Sequence, residues 1–362
     1  MILGSKVRKR RGNGRPTIAD VASRAGVGKI TVSRALRDPT QVSESLRRVI
    51  DAAVRELNYT PNLNARALAS ARNDLVGVLV PALSPNIFTD VLRGVYDGVE
   101  ETRLRVEIAN TRYNRELEEQ HILEMLRHKP AGLIVSGVNQ TATARRALEE
   151  AECPVIQIMD LTDDPVDRVI GFSHREGGRR MTQHLIDAGY RRIAFLGGYL
   201  NERSGGRLTG HEDALKAAGL YDPDLVCLLD DAPPSPDPGD PDEWIRFSSP
   251  ATGRDLLSKA LETIPGLDAV FCNNDMLAIG VLFECHRRKI RVPEDLGIAG
   301  FNDLDVVAAS EPGISSCRTP RWECGHSAAH AIRDALDGLR DQPRIIDLGV
   351  TIKERGSTRR SG

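Results

Sequence analysis

A chain of 362 residues exceeds what one compact core holds and implies two or three domains. With 40% apolar and 28% charged residues it has a globular make-up, and no apolar run approaches the roughly 18–20 residues of a membrane-spanning helix. The net charge of −2 hides an asymmetry, because residues 1–72 carry a balance of +10 and the remainder −12, so a polyanion partner is expected for the head alone.

In chain order, residues 1–15 are basic and lack the apolar stretch of a secretory signal, so they read as a disordered arm whose Arg8 to Arg11 contribute only non-specific electrostatics. Thr17 with Asp20 three positions on forms a capping-box variant that starts a helix through Ile18, Val21 and Ala22. Ala25-Gly26-Val27 breaks that helix. A second helix spans Lys29 to Leu36 and closes at Asp38-Pro39, and a third runs from about Ser43 to Leu57 with Leu46, Val49, Ile50, Ala53 and Leu57 at helical spacing. Three short helices with a tight turn between the first two predict an all-α helix-turn-helix head over residues 16–60. Pro61 behind Thr60 then opens a helix of about two turns within a linker, 61–72, that is marginal alone because nucleation is costly.

From Asp74 short apolar runs alternate with amphipathic helices. The runs are Leu75–Val80, Val106–Ala109, Gly132–Val135, Val155–Met159, Arg192–Leu196, Val226–Leu229, Ala269–Cys272 and Gly297–Gly300. This alternation predicts an α/β sensor over residues 73–357 built of two doubly wound parallel-sheet lobes, with ligand bound between them beyond the strands' carboxyl ends. The expected first lobe is about 73–171 and 320–347, and the second about 172–319 and 348–357. Asp230 to Asp242, rich in Pro, Asp and Gly, reads as a surface loop. Heptads are lacking at the C-terminus, so nothing supports a tetramerisation tail. The six cysteines show neither a Cys-x-x-Cys pair nor metal spacing, which implies reduced thiols in a cytoplasmic protein, with no metal and no cofactor.

Several passages carry a resemblance. They are Arg15-Pro16-Thr17-Ile18-Ala19-Asp20-Val21-Ala22, Ala25-Gly26-Val27, Thr31-Val32-Ser33-Arg34-Ala35-Leu36 and Leu57-Asn58-Tyr59-Thr60-Pro61-Asn62. Further along come Val78-Leu79-Val80-Pro81, Asn274-Asp275-Met276-Leu277-Ala278-Ile279-Gly280, Val292-Pro293-Glu294-Asp295 and Gly300-Phe301. The chain resembles the lactose-repressor (LacI/GalR) family along nearly its whole length. Within it, Phe88-Thr89-Asp90-Val91-Leu92-Arg93-Gly94 and Val270-Phe271-Cys272-Asn273-Asn274-Asp275 look most like the gluconate-utilisation repressors. The resemblance implies a periplasmic-binding-protein-like sensor and a transcriptional repressor whose effector is gluconate or a related sugar acid.

A helix-turn-helix places its second helix in the major groove, so Lys29, Ile30 and Arg34 face bases. The resemblance implies that Lys29 and Ile30 set operator preference while Arg34 reads a base edge. Thr17, Gly28, Thr31 and Ser33 suit phosphate contacts at helix N-termini, although Thr31 serves equally well in packing, and Val32 reads as packing only. By resemblance the linker is a hinge helix whose Asn62 and Ala65 face the minor groove and whose Leu68 wedges between base pairs. Paired hinges would support one another, which implies a homodimer on a pseudo-palindromic operator.

At the ligand end, Arg207 matches the family's effector-binding arginine and reads as the start of a helix after a strand. Its planar guanidinium suits a carboxylate. Asn274 matches a polar family contact, and Asp275 beside it reads as the cap of the following helix. Asn302 departs from the aspartate many sugar-binding relatives carry after Gly-Phe, which lowers repulsion of an anion. Ser84, Asn86 and Phe88 follow the first strand, with core packing an equal reading for Phe88. His174 and Glu176 start a helix near the lobe crossover.

Other readings are a neutral sugar or nucleobase effector, a corepressor acting in the opposite sense, or a sugar-binding protein without a DNA role. No phosphate loop, nucleophile elbow or metal spacing supports an enzyme.

Overall fold

The computed structural model describes residues 16–37, 41–59, 73–83, 87–198, 200–229, 246–339 and 342–360, in two compact units, 1–72 and 73–362. The basic arm, the hinge and the Asp230–Asp242 segment lie outside the described residues.

The first unit is helical. α1 (Ile18–Ala25) opens on the anticipated capping box, in which the Asp20 carboxylate accepts from the Thr17 N–H at 2.8 Å. Gly26 ends it in the left-handed region at φ 67°, a conformation glycine adopts without steric cost, and α2 (Lys29–Arg37) follows after the turn. α3 (Glu44–Glu56) begins on Ser43 as its cap. Val21, Ala22, Val32, Ala35, Ile50 and Ala53 form the buried core that holds the three helices together.

The second unit contains two six-stranded sheets. The first comprises β1 (Leu75–Val80), β2 (Arg105–Asn110), β3 (Gly132–Ser136), β4 (Val155–Ile158), β5 (Arg168–Gly171) and β11 (Ile345–Asp347), all parallel. The second comprises β6 (Ile193–Gly197), β7 (Val226–Leu228), β8 (Ala269–Cys272), β9 (Gly297–Asn302), β10 (Ser315–Arg318) and β12 (Thr351–Lys353). Its one antiparallel pair among the described strands joins β10 to β12, where an all-parallel sheet was expected. The strand orders β11-β5-β4-β3-β1-β2 and β12-β10-β9-β8-β6-β7 are doubly wound, with the order reversing beside β1 and β6.

All eight apolar runs are strands, and β5, β10, β11 and β12 are four more. The last two are three residues long at sheet edges, β5 holds only two apolar residues in succession and β10 reads Ser-Ser-Cys-Arg, so each is too short or too polar to be recognised as a strand. The chain passes between lobes after β5, after β10 and between β11 and β12.

Helix packing is set by close backbone approach. α7 (His174–Asp187) and α8 (Glu202–Ala217) touch through glycines: a Cβ at Gly178 would lie 2.2 Å from the Arg207 carbonyl oxygen, and one at Gly210 would lie 1.9 Å from that of Arg175. This contact leaves α8 one position, and α8 carries the side chains that matter most below. In the first lobe α4 (Ile87–Val99) and α12 (Arg321–Leu336) meet in the same way at Gly94 and Gly325.

Candidate functional site

In the head, α2 sorts its side chains by face. Val32 is fully buried and packs, while Lys29, Ser33 and Arg34 are exposed and Thr31 is half-buried. Ile30 is 75% exposed, the most exposed of the large apolar side chains among the described residues. Thr17 and Gly28 are also exposed, with the Thr17 hydroxyl donating to Asp20 at 2.7 Å. Asn62, Ala65 and Leu68 lie outside the described residues.

In the second unit, the carboxyl ends of strands from both sheets converge on a cavity of about 770 Å³, counting the part open to solvent. Phe88 from α4, His174 from α7 and Arg207 from α8 line it together with Asn274 and Asn302, so the structure brings five of the sequence-predicted residues to one place. Ser84 and Asn86 lie outside the described residues. Glu176 does not line the cavity. Two residues after His174, about half a helical turn, it faces outward and pairs with Arg179 through two contacts of 2.7 Å.

The helix bearing Arg207 starts earlier than expected. Asn201 and Ser204 cap each other reciprocally, so α8 begins at Glu202 and Arg207 stands in its second turn. One turn before it is Arg203, which sequence reading missed. The spacing of four within Arg203-Ser204-Gly205-Gly206-Arg207 was the available signal, since such residues share a helix face. Asp160, Tyr113 and Asn273 were missed too, because only the folded loops bring them near.

The two arginines have unequal partners. Arg203 donates from Nε to Asp160 Oδ2 at 2.7 Å and from Nη2 to Ser136 Oγ at 3.0 Å, and Asp160 helps hold its pKa up against burial. Arg207 donates from Nε to His174 Nδ1 at 3.2 Å and from Nη1 to the Asn273 carbonyl at 2.6 Å, and lies 4.0 Å over the Phe301 ring. None of these partners is an anion, and among the described residues no carboxylate pairs with it. Burial first, and Arg203 second, bring its pKa down to about 10, so it stays a cation without a counter-ion.

Burial, helped by both arginines, also lowers the His174 pKa well below its usual value, so the ring is neutral. Its Nε2–H then donates to the Met159 carbonyl at 3.1 Å, which leaves Nδ1 to accept from Arg207. The 3.4 Å approach to Asp160 is therefore not an ion pair.

The cap of α10 (Asp275–Arg288) is Asn274, whose Oδ1 accepts from the Leu277 N–H at 3.0 Å, and not Asp275 as expected. Asp275 is instead fully buried, accepting from Ser316 Oγ at 2.6 Å and the Leu304 N–H at 2.7 Å, with burial pushing its pKa up to about 6. Asn302 is 2% exposed, sits at φ 111° and has no partner for its Nδ2. An unpaired buried donor on strained backbone marks a site under a constraint other than stability. The Arg321 guanidinium holds the Asn302 carbonyl and so fixes this side chain's origin.

Comparison with known proteins gives the chain its family. Residues 17–62 match the model for bacterial regulatory proteins of the lacI family. Residues 73–234 match that for periplasmic binding proteins and the sugar binding domain of the LacI family, and 182–358 a periplasmic binding protein-like domain. The HTH-type transcriptional regulator GntR of Pseudomonas aeruginosa is 38% identical, over 96% of this chain and 97% of that protein. The chain belongs to the LacI family. The GntR regulator of Escherichia coli K12 is 37% identical over 95% of this LacI-family chain and 98% of its own length. A LacI family regulator from Silicibacter pomeroyi superposes with a TM-score of 0.83 at 34% identity, covering 95% and 100% of the two chains. No helix among the described residues is long and apolar enough to cross a membrane, and none of their His, Cys, Asp and Glu groups could hold a metal ion.

Proposed function

We propose that this regulator is a sequence-specific repressor that a sugar acid, gluconate or a close relative, releases from its operator. The observation that carries the effector reading is an excess of donors. Arg207 lacks a counter-ion and Asn302 Nδ2 lacks an acceptor, and both line one cavity. A carboxylate supplies charge to the first, and either carboxylate or hydroxyl oxygen supplies an acceptor to the second. Asn274 and Phe88 add a polar contact and an apolar wall.

On DNA, Lys29, Ile30 and Arg34 read base edges, while Thr17, Gly28, Thr31 and Ser33 serve phosphates. Asn62, Ala65 and Leu68 act as the hinge's minor-groove contacts. The protein works in the cytoplasm as a homodimer, and Phe283, 54% exposed on α10, and Ile108 on edge strand β2 suit burial against a second copy. Ligand closes the lobes and unwinds the hinges. A shift of DNA occupancy from 99:1 to 1:99 asks for about 5.5 kcal/mol of differential affinity.

Selection from a random duplex library, followed by fluorescence anisotropy with and without gluconate, tests this. Enrichment of a pseudo-palindrome that gluconate releases is expected. Absence of any preferred duplex overturns the repressor reading, and tighter binding on adding gluconate overturns induction.

A further inference from the structure

A second cavity adjoins the first and shares Tyr113, Asn201 and Arg203 with it. It opens on the first-lobe side, between the start of α5 (Arg115–Arg127) and the loop after β3. Its character differs from its neighbour's. Glu118, Asp160 and Glu202 line it against two cations, of which Arg203 is paired with a carboxylate and Arg115 bonds a neutral carbonyl. Arg203 is held by Asp160 and Ser136, and Arg115 Nη2 donates to the Gln140 carbonyl at 3.0 Å.

Two features show a shaped space. Gly137, at φ 114°, presents its bare Cα where a Cβ would stand 3.7 Å from Arg203 Nη2 and 4.0 Å from Asp160 Oδ2, and the φ itself disfavours any side chain. Ahead of α5, Arg112 and Tyr113 both take left-handed backbone, at φ 52° and 57°, so two successive non-glycine residues hold a strained turn that sets Tyr113 at the junction of the cavities.

We propose that this second cavity receives the hydroxylated tail of the effector and rejects a tail that ends in phosphate. The inference rests on the sugar-acid reading above and extends it to the ligand's far end. With the carboxylate at Arg207, the other end of an acyclic acid passes Tyr113 and meets carboxylates. Hydroxyl groups donate to carboxylates. Asp160 already neutralises Arg203, so a phosphate dianion there would face Glu202 and an ionised Glu118 with Arg115 as the one opposing cation among the described lining residues, a net repulsion. Burial pushes Glu118 up to about 7, so near neutral pH it offers a hydroxyl either a donor or an acceptor.

Calorimetric titration of the full chain with gluconate and with 6-phosphogluconate tests the assignment. Gluconate is expected to bind, and its 6-phosphate to bind at least about 100-fold more weakly. At about pH 8.5, where Glu118 is ionised, Glu118→Gln removes one negative charge and is expected to narrow that gap by roughly tenfold, whereas Glu118→Asp keeps it. Equal affinity for the two acids, or tighter binding of the phosphate, overturns the proposal and leaves the sugar-acid reading standing. A folded Glu118→Gln protein with the full gap overturns the role given to the acidic lining. Binding of neither acid overturns the sugar-acid reading itself. Should the Gln variant fail to fold, the ratio measured on the unaltered protein still decides.

Discussion

The helical head and the cavity of the second unit hold the same side chain, arginine, in opposite settings. In α2 Arg34 is exposed, and it is placed only by helix periodicity and a core of six small or branched residues. In α8 Arg207 is 8% exposed, wedged between His174, Asn273 and Phe301. An arginine so exposed keeps its water until a partner displaces it, so a contact made there carries a modest energy and specificity must be spread over several residues. The buried one is already desolvated and lacks an anion, so a single ligand carboxylate recovers a large electrostatic term at once. A reader of long polymers is suited by the first arrangement, and a switch thrown by one small molecule needs the second.

The sharpest way to break this contrast is Arg207→Gln. Effector affinity is expected to fall by about 100-fold or more while operator affinity without effector holds, measured by calorimetry and anisotropy on one preparation. Retained effector affinity would mean that the unpaired cation is not the anchor.

A test of the buried side alone uses pH. The Glu118 carboxyl is pushed from 4.5 to about 7, so the folded protein holds that proton more tightly than the unfolded chain. The stabilisation this provides is complete below about pH 4.5 and is lost as pH rises through about 7. Glu118→Gln removes the dependence. Relative to the unaltered protein it should gain up to about 3 kcal/mol at about pH 8.5 and little at about pH 4.5, read from urea denaturation at both.

The exposed side should respond less. Arg34→Ala is expected to weaken binding to the selected operator by about 1–3 kcal/mol and to relax the base preference at one position in each half-site, with random DNA bound almost as before. An equal loss on all duplexes would reassign Arg34 to the phosphates.

The head was legible because its signals are local. A capping box, a left-handed glycine and apolar residues at helical spacing act within a few residues of themselves, and Thr17, Gly26 and Val32 do what their neighbours in the sequence imply. The eight apolar strands were legible for the same reason. Strands β10, β11 and β12 were not, since β10 is polar and the other two are three residues long, and pairing with a neighbour supplies what each lacks. In the cavity, Arg207, Asn274 and Asn302 could be picked out as polar residues near strand ends.

The sequence by itself determined that a cationic helical reader precedes an α/β sensor, because charge balance and periodicity are properties of the chain in order. Only the tertiary structure decided the electrostatics of the cavity. Whether a charge is paired depends on groups far away in sequence, as Asp160 meets Arg203 and Asn273 meets Arg207. It also turned Glu176 outward and Asp275 inward, since helix phase and close glycine packing, rather than residue type, set which way each carboxylate faces.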